Sequence, residues 1–124
     1  GVRRVVRWLN RNGFVTCDSG DGESKKDADG VLPEWANAFP HVVIQTAADD
    51  LIPTADRLLA LLAEADIPVN VIQPDGSGVE IQASYDPAAR FCDAKTFKPV
   101  RLATIFVTGL QDTALPPGAG DPAD

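Results

Sequence analysis

The sequence predicts an α+β fold: two helices packed on one face of a four- to five-stranded, mainly antiparallel sheet. Three observations lead there. Residues 2–11 and 53–65 carry apolar side chains at helical spacing. Five short runs, 14–17, 41–47, 69–72, 79–85 and 101–108, are β-branched, apolar or alternating. Turn chemistry such as Asn12-Gly13 and Pro74-Asp75-Gly76-Ser77-Gly78 separates several of them.

Val2, Val5, Val6 and Leu9 stand at i, i+3, i+4 and i+7, with arginines opposite, so the first helix spans 2–11. Asn12-Gly13 ends it, because both residues tolerate a left-handed backbone. Phe14–Cys17 and His41–Ala47 read as strands. Leu51, Ala55, Leu58, Leu59, Leu62 and Ala65 give the second helix its stripe, and Ile67-Pro68 closes it. Val69–Ile72 reads as a strand parallel to 41–47 across that helix. Val79–Tyr85 alternates with period two. An irregular, partly basic stretch runs from Asp86 to Pro99, and Arg101–Thr108 is the last strand.

The predicted order is αββαβββ, a plait-like arrangement. With one late strand removed it becomes αββαββ, a ferredoxin-like plait whose first strand has moved to the end, an analogy of fold that implies no function. Residues 1–110 are expected to form a single domain with a long insertion at 18–40. The Pro/Gly/Ala/Asp-rich residues 111–124 are expected to be a disordered tail. A chain of 124 residues is long enough to bury one core.

A net charge of −7 and few aromatics argue against direct binding to double-stranded nucleic acid or to RNA through stacking. Eight of the eleven basic residues fall in two segments, Arg3 to Arg11 and Arg90 to Arg101. Such a segment would bind an anion, pair with the acidic insertion or simply solvate its face. No apolar run reaches the roughly 20 residues of a membrane span, so no membrane partner is expected. Two cysteines, Cys17 and Cys92, do not make a disulfide framework, and a reduced cytoplasmic protein is the expectation. Oligomeric state is not legible. Phosphate-binding, dinucleotide-binding and serine-hydrolase motifs are all missing.

The insertion is the natural place for a site, since connections beyond about 15 residues are usually functional or disordered. It opens on Cys17-Asp18-Ser19-Gly20-Asp21-Gly22-Glu23 and carries five acids before Gly30. Its first half, 18–30, reads as polar and flexible; its second, with Val31, Leu32, Trp35 and Phe39, is apolar enough to dock on the core. If strands 14–17 and 41–46 were paired with Cys17 opposite His41, the thiol, the only imidazole and Asp18 would share one mouth, a candidate Cys–His nucleophile. Asp18, Asp21 and Glu23 offer hard oxygen ligands for a weak magnesium or calcium site, although the calcium-loop spacing fails. No cofactor is otherwise expected. Thr16, Ser19 and the Gly20–Gly22 amides offer a nest for an anion.

The run from Trp8 to Gly22, with Phe39-Pro40-His41-Val42 later, resembles small actinobacterial and actinophage proteins of unassigned function through Gly-Phe-x-Thr-x-Asp-Ser-Gly-Asp-Gly. That resemblance implies a phage or host accessory role. It makes Asp18, Ser19, Gly20, Asp21, Gly22 and His41 the site candidates, with Thr16 beside them. The leading expectation is a small binding or regulatory protein that recognises a host protein or a small anionic, nucleotide-like ligand through 18–40. The alternatives are a small hydrolase, metal-dependent through Asp18–Glu23 or using Cys17 and His41, and an acidic mimic of nucleic acid.

Overall fold

A computed structural model describes residues 1–21, 39–92 and 99–122, and only the backbone for 86–92 and 99–100. Helix α1 spans Arg3–Arg11 and strand β1 Val15–Asp21. Strand β2 is Pro40–Ala47, helix α2 Leu51–Glu64, β3 Glu80–Cys92 and β4 Pro99–Thr108. All neighbouring strands are antiparallel, in the order β1-β2-β4-β3. Because β4 lies between β2 and β3, the unit β2-α2-β3 is a split crossover. With α1 in front, this is the strand order of the plait with its first strand moved to the end.

Both helices cover one face. Val42 and Ile44 of β2 and Ala103, Ile105 and Val107 of β4 form one core with Val5, Trp8 and Leu9 of α1 and Leu58 and Leu62 of α2. Side chains alternate along a strand, so His41 and Val43 face the other way. Each helix closes with the same pair of bonds. Gly13, at φ +89°, lets Phe14 N–H reach the Leu9 carbonyl at 3.1 Å. Asp66, at φ 58°, lets Ile67 N–H reach that of Leu62 at 2.9 Å.

Three expectations are corrected. The strand at 69–72 shrinks to a single parallel bridge, Val69 to Val79. Asn70 turns left-handed there, and its side chain accepts from Ile81 N–H at 3.0 Å, which leaves Val71 and Ile72 in solvent. The irregular stretch after Asp86 instead continues as strand to Cys92, after a register shift between Asp86 and Arg90.

The disordered tail is likewise not what residues 111–122 form. Arg4 donates to the carbonyls of Ala119 and Pro116 and pairs with Asp121 at 3.2 Å, and Arg7 donates to Gly120 at 2.6 Å. Leu110 and Leu115 enter the core. Arg4 and Arg7 of the first basic segment therefore hold residues 116–121. The 111–122 stretch also gives α1 a cap. Val2, at the N-cap position, has no capping side chain, and Asp112 accepts from Val5 N–H at 2.9 Å in its place.

Candidate functional site

The root of the insertion is strand, not loop. Residues 18–21 pair with 40–43, with Asp18 opposite Val43, Ser19 opposite Val42, Gly20 opposite His41 and Asp21 opposite Pro40. Backbone pairing overrides the turn chemistry of Asp-Ser-Gly-Asp because β2 offers a full ladder of partners. Gly22, Glu23 and the rest of the insertion to residue 38 lie outside the described residues, as does the stretch 93–98 of the second basic segment.

The ladder divides the candidate residues between two faces. Ser19 lies on the helix side opposite Val42, and Asp21 follows it there, accepting from Val2 N–H at 3.1 Å. Thr16 is on the same side and donates to Asn10 at 3.0 Å. Asp18, Gly20 and His41 share the other face. A Cβ on Gly20 would stand 2.7 Å from His41 Cε1, so the missing side chain is what admits the imidazole. His41 is only 5% exposed. Its Nδ1 lies 3.0 Å from the Phe39 carbonyl, which can only accept, so the proton sits on Nδ1. Nε2 faces Asp18 Oδ2 at 3.8 Å, near enough for an ion pair when the ring is protonated but beyond a hydrogen bond.

This geometry corrects the nucleophile reading. His41 is opposite Gly20, three residues past Cys17, and Cys17 occupies the register shift between Thr16 and Asp18. The thiol is exposed, but partial desolvation pushes it above its ordinary value, and the Asp18 carboxylate adds to that. A thiolate nucleophile needs the opposite shift. Of the three metal candidates, Glu23 lies outside the described residues. Asp18 and Asp21 lie on opposite faces, and among the described residues no three ligating side chains converge. Asp18, Gly20 and His41 do come together, as a packed joint between strands.

A more open surface begins at Phe39, the last apolar residue of the insertion. Phe39 is 56% exposed and Ile72, across from it, 70%. Together with Asp75, Ser77, Glu80 and Thr108 they line a hollow of about 400 Å³. A second hollow of about 460 Å³ shares Phe39, Glu80 and Thr108 and continues over Gln82 and Phe106 of the sheet. Both contain carboxylates, and neither is lined by a Lys, Arg or His among the described residues. Asp75 accepts from Ser77 N–H at 2.9 Å and from its hydroxyl at 2.6 Å, and these bonds hold its carboxyl below the usual range. A β-branched run such as Val69–Ile72 predicts burial, so the exposure of Ile72 is not legible in sequence. The left-handed Asn70 beside it is the one local signal to the contrary.

Comparison with protein-family models, with curated proteins and with solved structures finds no match.

Proposed function

We propose that the chain is a binding protein, not a catalyst, and that its recognition surface is the pair of hollows around Phe39 and Ile72. The partner is a protein segment that mixes apolar side chains with lysine or arginine. One observation carries this reading: two large apolar side chains, more than half exposed, line one hollow together with two carboxylates. Burying them offers about 25 cal/mol per Å² of apolar surface. Asp75 and Glu80 favour a cationic partner and repel an acidic one. The surface begins at the foot of the insertion, which keeps it beside the region singled out from sequence.

Selection from a displayed random peptide library tests the proposal, with Phe39→Asp and Glu80→Lys as comparison proteins. Enriched peptides should combine aromatic or aliphatic residues with Lys or Arg. They should lose at least about tenfold in affinity, roughly 1.4 kcal/mol, on each variant. Enriched peptides that bind all three proteins equally, or that are acidic, would overturn it.

A further inference from the structure

The opposite end of the sheet holds a different kind of site. The turn at Gly13–Val15, the end of β2 and the start of α2 enclose a groove of about 450 Å³. That volume is within the range of small-molecule sites. Phe14, Pro53 and Leu102 give it apolar walls. Thr46 and Thr54 contribute hydroxyls 3.3 Å apart, and Thr54 is only 7% exposed.

Two opposite charges line this groove, Asp50 and Arg57. Arg57 stacks its guanidinium on the Phe14 ring, 4.7 Å from the centroid, with Nη1 beside Gly13. Stacking engages the face of that plane and leaves the N–H groups at its edge. Among the described residues no carboxylate lies within ion-pair distance of Arg57. Asp50 holds the N-cap position of α2, yet its side chain makes no cap bond. The two are seven residues apart, two turns on one helix face, or about 10 Å along the axis. Two uncommitted charges of opposite sign therefore share one groove without neutralising each other.

The charges select the ligand class. A polyanion would meet Asp50, with Asp49 next to it, and a simple cation would meet Arg57. A zwitterion with separated ends satisfies both. Two or three peptide residues span about 7–10 Å. We infer that the groove binds a short, free peptide of two or three residues. Its carboxylate lies on Arg57, its ammonium group on Asp50, its apolar side chains on Phe14 and Leu102, and its amide near the threonine hydroxyls. Arg57 suits a carboxylate because its N–H donors match both oxygens.

Titration of the ¹⁵N-labelled protein with dileucine and trileucine tests this, using the C-terminal amides, the N-acetyl forms and inorganic phosphate as comparisons. The free peptides should bind saturably and shift amides at Gly13–Val15 and 50–57. Capping either end should weaken binding at least tenfold. Arg57→Gln should abolish the preference for acid over amide, and Asp50→Asn the preference for free over acetylated amine. Each variant tests one end, so either suffices if the other fails to fold. The inference is overturned if no free peptide binds saturably, if capped and free peptides bind equally, or if phosphate binds more tightly than the peptides. None of these outcomes touches the Phe39 surface.

Discussion

At one end of the sheet, Asp21 and His41 commit polar groups to the fold; at the other, Asp50 and Arg57 commit almost none. Asp21 satisfies a backbone N–H ahead of α1, and His41 is wedged under Gly20 with its ring bonded to Phe39. Asp50 sits where a cap would be and caps nothing, and Arg57 rests on an aromatic face. The motif-rich end reads as a site in sequence, and its described residues Gly20 and His41 are packed tightly against each other. The end without a motif keeps its charges available to a ligand.

The sharpest way to break this comparison is Gly20→Ala. The added methyl group would overlap the His41 ring, with an expected loss of about 1–3 kcal/mol in urea unfolding. Combining it with His41→Ala should recover part of that loss, the non-additivity that contact requires. A neutral Gly20→Ala would mean that the joint is not tight.

Next in size is a pair of aspartates. Asp112→Ala removes the remote cap of α1 and should cost about 1–2 kcal/mol, a fall in Tm of several degrees. Asp50→Ala should change stability by no more than about 0.5 kcal/mol, because its carboxylate supports no bond of the fold. Equal losses in the two variants would erase the contrast between committed and uncommitted charge.

The smallest effect concerns Cys17. Partial desolvation and the Asp18 carboxylate both raise the thiol's pKa, so less thiolate is present at a given pH. Removing the charge with Asp18→Asn lowers the pKa again. Alkylation of Cys17 at pH 8 should then speed up on the order of a few-fold, followed by mass spectrometry with Cys92 counted separately. Slower alkylation in the variant would show that Asp18 activates the thiol.

Much of the architecture was legible because it rests on local periodicity. Val5, Leu9, Leu58 and Leu62 are core residues, and both helices end within about two residues of their expected limits. The candidate site was less legible. Asp-Ser-Gly-Asp is turn-like chemistry in isolation, and only its pairing with residues 40–43 makes it a strand. Nothing local in Gly20 announces that an imidazole lies against it. Asp50 and Arg57 carry no motif, and what matters is that the fold sets both on the groove that Phe14 lines and leaves them without a salt bridge to each other.

By itself, then, the sequence determined the two helices, the stripe each one buries and most of the strands, since helical and strand periods are properties of neighbouring residues. Tertiary structure decided the register that sets Gly20, not Cys17, against His41. It also decided the division of Asp18 and Asp21 between two faces, the reduction of 69–72 to one bridge, and the docking of 111–122 on Arg4 and Arg7. Those outcomes depend on partners distant along the chain. A slip in strand pairing keeps similar backbone bonds while changing every side-chain neighbour, so packing and burial, not local preference, choose among registers.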